Sequence, residues 1–306
     1  MSDQVNSMSR CLKAYWLRDR STISRLISLI LILAWGPAQT VQAEGPKSDP
    51  WLMYRIMGLD DLRLSLSQME RRLEVLRVEV LRSRKLVASG AAPQIELIET
   101  EGNLAISNAE RNELIALINW QRYLLQLSKN EREFKEAEHF QLLVAHLEPR
   151  VAMAQSIVSL FEKRYSISER LKQRKAISSE EFERSSDDLQ EARSRLIFYR
   201  SQALQARHAL EIRQGKREFQ QEEADILAQA VVSAHISLWK STLSSNDHRL
   251  ARLQALKSRG VVTQVEIDSV NESRKSLQQA LDSAISAKPE PYPAPGRMKR
   301  PQAQLT

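Results

Sequence analysis

Three stretches of this chain recur at one interval, and that interval restricts the folds open to it. Leu86-Val-Ala-Ser-Gly-Ala-Ala-Pro93, Leu171-Lys-Gln-Arg-Lys-Ala-Ile-Ser178 and Leu256-Lys-Ser-Arg-Gly-Val-Val-Thr263 begin 85 residues apart. A fixed period of this size marks tandem supersecondary units. Each stretch reads as the tip of a helical hairpin. Ser178 with Glu181, and Thr263 with Glu266, have the spacing in which two side chains satisfy the free amides of a helix start. The apolar pairs Ile177/Phe182, Val262/Ile267 and Ala92/Leu97 can clamp the entering chain at each tip. Pro93 stands at the first cap position, where its missing N–H costs nothing. Gly90 and Gly260 can take the left-handed conformation that ends the preceding helix, whereas Lys175 occupies that place in the middle tip. The middle turn is therefore expected to be the less relaxed one.

Midway between tips, Glu131-Arg-Glu-Phe134 and Lys216-Arg-Glu-Phe219 again stand 85 residues apart, beside Asn130 and Gly215. They read as turns at the opposite end, with helices of about 40 residues, or ~60 Å, between. Pro149 lacks a donor and crowds the preceding turn, so a kink or break is expected near Glu148, with the base turn there as the alternative. Leu59, Leu66, Leu73, Val80 and Val87, with Leu62, Met69 and Leu76, form sustained heptads that begin at Leu52. Phe182, Leu189, Leu196, Ala203 and Leu210 repeat the pattern after the middle tip. Between residues 51 and 287 there are only two prolines, and nothing alternates as a strand does.

The expected fold is all-α: three tandem long antiparallel helical hairpins, coiled-coil-like, with an 85-residue repeat. A signal segment over 1–43 and a short linker over 44–50 precede hairpins at 51–133, 134–218 and 219–287. A Pro-rich disordered tail covers 288–306. The signal reading rests on Arg18, Arg20 and Arg25 before the apolar run Leu26–Trp35, with a small-residue site at Val41-Gln-Ala43. Cys11, the single cysteine, lies upstream of that run. Removing five Lys/Arg and two Asp/Glu with the signal lowers the net charge from +7 to +4. That modest balance, with no basic run interleaved with aromatics, argues against nucleic acid as a partner.

Little in the sequence points to catalysis. His139, His146, His208, His235 and His248 are scattered, with no carboxylate or cysteine set completing a metal site. Phosphate loops and nucleophile elbows are absent. The reading is non-enzymatic, without cofactor or metal; a metal-binding helical bundle using the histidines ranks behind it.

The segments Leu171–Phe182 and Arg252–Ile267 resemble the hairpin tips of HlyD-type periplasmic adaptor proteins and TolC-type outer-membrane efflux proteins. Adaptor tips carry Arg-x3-Leu-x6-Ser. This chain offers Arg82, Leu86 and Pro93; Ile167, Leu171 and Ser178; and Arg252, Leu256 and Thr263. The resemblance covers residues 51–287 and does not extend to the lipoyl-like domain or strand-built barrel of those families. It implies a periplasmic, outer-membrane-associated component of an efflux or secretion assembly. Such a component docks through hairpin tips or helix seams to protein partners of the envelope, as a homo-oligomer or hetero-complex. Arg82, Leu86, Leu171, Ser178, Arg252, Leu256 and Thr263 are the implied contacts. The capping chemistry already gives Ser178 and Thr263 a structural role, which leaves Arg82, Arg252 and the leucines to carry any docking. The alternative is a periplasmic coiled-coil scaffold or holdase with no transport role.

Overall fold

A computed structural model describes residues 58–258 and 260–298. The signal and linker expectations over 1–50, the start of the first hairpin at 51–57 and the tail beyond 298 lie outside them.

The described chain forms six helices. They are α1 (Leu59–Ala88), α2 (Gln94–Ser128), α3 (Glu136–Gln173), α4 (Ser179–Arg213), α5 (Gln221–Lys257) and α6 (Gln264–Ser286). No strand occurs among the described residues. The five turns between the helices share one construction. In each, a residue at positive φ ends the helix: Gly90, Asn130, Lys175, Gly215 and Gly260. The next amide reaches back to the carbonyl of Leu86, Gln126, Leu171, Glu211 or Leu256, at 2.8, 2.9, 2.8, 3.0 and 3.1 Å respectively. This double hairpin of bonds at a helix end uses the left-handed residue to turn two orphan carbonyls back onto the chain. The tip leucines are therefore cap residues of their own helices. Ser178 and Thr263 each complete a reciprocal capping box with Glu181 and Glu266.

Lys175 sits at φ 56°, where a Cβ is crowded against the following carbonyl. Lys175→Gly is expected to raise stability by about 0.5–1 kcal/mol, the relief of strain exceeding glycine's greater freedom in the unfolded chain. An unchanged or lower urea midpoint would count against it.

The heptads are the buried stripes. On α1, Leu62, Leu73, Leu76, Val80 and Ser83 are buried, while the opposite side is open to solvent. On α4, Leu189, Ala192 and Leu196 pack with Ala154 and Val158 of α3. On α6, Ala280, Leu281 and Ala284 pack with Trp239 of α5. α3 runs unbroken through Pro149, with Leu147 and Met153 buried on either side of it. Flanking burial holds the helix through the lost bond, so the break and the alternative base turn near Glu148 are not found. The base turn lies between Ser128 and Glu136.

Each helix packs chiefly on its neighbours in sequence, α1 on α2 through to α5 on α6. The result is an open row of helices, laced by ion pairs. Arg84–Glu101 (2.8 Å) joins α1 to α2, Arg164–Glu99 (2.8 Å) joins α2 to α3, and Arg193–Glu162 (2.9 Å) joins α3 to α4. α1 and α6 are its two edges.

Residues 288–298, read from composition as part of a disordered tail, lie docked on the base end of α3 and α4. Gln205 Nε2 donates to the Glu290 carbonyl at 3.3 Å, and an Arg213 guanidinium nitrogen donates to the Pro293 carbonyl at 2.6 Å. Composition registers low propensity for helix or strand, but it does not register an apolar groove waiting elsewhere in the fold.

Candidate functional site

The three tips lie at one end of the row, because successive tips are separated by two antiparallel helices of similar length. Their backbones are consumed by the caps described above, and the side chains implicated by sequence fall into two groups. Leu86, Leu171 and Leu256 are half-buried, Ser178 and Thr263 are exposed but committed to their capping boxes, and Arg82 is exposed, with no ion pair among the described residues. Arg252 is only 14% exposed, and its guanidinium lies 3.5 Å from Asp187 of α4. The expectation that Arg252 lacks a structural role is thereby corrected, since it ties the third hairpin to the second.

Asp187 is shared. His248 Nδ1 approaches its carboxylate at 3.0 Å, alongside Arg252. Beside it, burial pushes the Asp188 carboxyl up to about 6, helped by Glu191 and opposed by Arg164 and Arg184. This is a seam of compensating charges between α4 and α5, of the kind that sets register.

Sequence reasoning did not single out two side chains at the third tip. Val261 is 68% exposed and Val265 is 76% exposed. Val265 falls off the α6 heptad, which runs through the buried Ile267 and Val270; that position was its legible signal. At the corresponding places of the middle tip, 85 residues earlier, stand Ala176 and Glu180. At the first tip they are Ala91 and a half-buried Ile95, so the third tip is the one that holds two large apolar side chains out in solvent.

The second exposed apolar surface is the free side of α1. Leu64, Val75 and Val78 are all exposed and fall on one side of the helix, opposite the buried stripe. Val75 corresponds, at the 85-residue interval, to Leu160 of α3. Leu160 is 6% exposed and nests against Gly102 of α2, where a Cβ would lie 2.9 Å from Cδ1. On α1 the same place is open, with Val75 58% exposed.

The histidines are built into the packing. Trp239 Nε1 donates to His235 Nε2 at 2.7 Å, and the His235 ring stacks on Phe198 at 4.7 Å. His208 Nε2 lies 3.0 Å from Glu223. His139 packs against Trp120 at 4.7 Å and is pushed down to about 4 by burial and by Arg213. Burial, reinforced by Arg150, holds His146 well below the usual imidazole range. Among the described residues no group of three or more His, Cys, Asp or Glu is placed to hold a metal ion, and no helix is long and apolar enough to cross a membrane. No protein-family model, curated protein or solved structure matches the chain.

Proposed function

We propose that this protein is a non-enzymatic component of an envelope efflux or secretion assembly, exported to the periplasm and docking there through its hairpin tips. The observation that carries the reading is the exposure of Val261 and Val265 at the third tip, 68% and 76%. Two valines held out on a capped turn are apolar area that a partner can remove from water, at about 25 cal/mol per Å² buried. Arg82 adds an exposed guanidinium at the first tip. Leu86, Leu171 and Leu256 support the turns from beneath, and Arg252 acts by holding the third hairpin in place.

The test uses a chain with Cys11→Ser and single cysteines at Ser89, Lys175, Ser258 or Val265, cross-linked in cells. Capture of an export component from the tips, and not from cysteines on the exposed helix flanks, is the expected result. Capture from the flanks alone sinks tip docking.

A second reading, a laterally assembling coiled-coil scaffold without a transport role, draws on the α1 edge. The nesting of Leu160 on Gly102 gives the form of the contact that Val75 would make with a helix from another copy. In that case Val75→Asp abolishes self-association in sedimentation, whereas Val261→Ser with Val265→Ser leaves function intact.

A further inference from the structure

The chain leaves α6 at Ala287 in an extended conformation, φ −67° and ψ 129°. Prolines at 289, 291, 293 and 295 then remove alternate amides, so carbonyls become the main handles on the segment. The base end of the row grips those handles. Gln205 takes the Glu290 carbonyl at 3.3 Å, and Arg213 takes the Pro293 carbonyl at 2.6 Å. Between them the Tyr292 ring stands edge-on to Phe140 of α3, 4.7 Å away, and forms one wall of a small cleft whose other walls include His208, Ile212, Phe219 and Leu227. After the prolines the Gly296 and Met298 amides each donate to Glu136 Oε1 at 3.1 Å, while Arg297 N closes a turn on the Ala294 carbonyl at 3.1 Å. The other Glu136 oxygen lies 3.1 Å from Arg213 Nε, whose guanidinium sits 4.2 Å over the Phe140 ring.

Each group here reads a different part of an extended peptide: an aromatic side chain in a cleft, carbonyls before and after it, and amides following. An aromatic-lined groove taking a proline-stiffened strand is a recurring recognition mode, because little chain entropy is lost on docking. The segment is held by α3 and α4 together and shares the walls of one cleft with Ala224 and Leu227 of α5. Residues 287–290, which lead from α6 to the groove, are exposed, so the occupant is joined to the array by an open linker.

We propose that this groove is a binding site for an extended Pro-Tyr-Pro segment, occupied in cis by the chain's own tail, and that its trans ligand is the tail of a second copy. The chain's own segment is the one whose fit the structure demonstrates. A short tether favours cis occupancy through an effective concentration on the order of millimolar, so exchange belongs to conditions in which copies are crowded together. The inference is independent of tip docking, because the groove is at the opposite end of the row.

Two full-length variants separate the roles. Tyr292→Ala removes the tail's anchor and leaves the groove; Leu227→Arg fills the groove and leaves the tail. Mixed at equal concentration they form a heterodimer by light scattering, while neither does so alone. A fluorescent peptide of residues 287–298 binds the Tyr292→Ala chain at least tenfold more tightly than wild type, and the doubly substituted chain does not bind it. Absence of peptide binding by a Tyr292→Ala chain with wild-type helicity overturns the site, and absence of the heterodimer overturns the exchange. A second route avoids both substitutions. With Cys11→Ser, Gln205→Cys and Glu290→Cys, disulfide-linked dimers that increase with protein concentration are expected, and an intramolecular bond at every concentration overturns the exchange.

Discussion

Phe140→Ala is expected to destabilise the helical array by about 3–5 kcal/mol, the range for a fully buried aromatic truncated in a packed core. Phe140 is 0% exposed and sits where three kinds of contact meet. Tyr292 approaches it edge-on at 4.7 Å, His139 lies 5.6 Å away in a T-shaped pair, and the Arg213 guanidinium covers its face at 4.2 Å. Truncation removes the apolar area and leaves a cavity beneath a guanidinium whose burial was matched to the ring. The tail also loses the surface that receives Tyr292. Urea unfolding followed by circular dichroism checks the size of the effect, and a loss below about 1 kcal/mol would show that the base end repacks around the gap. Tyr292→Ala, only partly buried at the same contact, should cost distinctly less.

The second large effect is a loss of stability in mild acid. His139 is held near 4 in the fold, against 6.5 for the free side chain, by burial first and by Arg213 second. Its folded pKa is depressed, so between pH 6.5 and 4 the unfolded chain binds a proton that the folded chain refuses. Stability from this group is complete above pH 6.5 and falls as the pH drops through that window, by about 3 kcal/mol at pH 4. His146 and His235, both shifted down mainly by burial, add losses of the same sign. Asp188 works the other way. Its carboxyl is raised to about 6 from 3.8, so its cost is present above pH 6 and is relieved as the pH falls to 3.8. Glu110, whose carboxyl is also raised by burial, acts in the same direction as Asp188; the three histidines outweigh these two carboxyls, and the urea midpoint is expected to fall between pH 7 and pH 4. His139→Leu should flatten that dependence by about 3 kcal/mol. If the variant and the natural chain lose equal stability over the interval, His139 is not the group responsible.

The helices and turns were legible because their determinants are local. Ser178 with Glu181 and Thr263 with Glu266 begin helices through contacts three residues apart, and both capping boxes form. Gly90, Lys175 and Gly260 end helices through one backbone conformation, and all three adopt it. The α1 heptad faces its partner because a 3.5-residue period keeps one stripe inward. At Pro149 local reasoning failed, because burial of Leu147 and Met153 on both sides outweighed one missing bond.

The candidate site was less legible. Arg252 read as free because its partner, Asp187, is 65 positions away on another helix, and no periodicity within α5 records that pairing. Val265 could be noticed only as an apolar residue out of phase with Ile267 and Val270. Its exposure depends on nothing in the fold reaching back over the tip. The base groove was hidden more completely, since it draws Phe140, Arg213 and Leu227 from three helices around a segment with neither helical nor strand character.

The amino-acid sequence alone determined the three tip stretches: where each helix stops, how the turn is made, and where the next helix starts. Those choices involve residues within about six positions of one another, so local chemistry suffices. Tertiary structure alone decided which arginine remains free, which side of α1 stays open, and where Tyr292 docks. Each of those outcomes depends on which distant surfaces meet in space, which neither capping residues nor heptads specify.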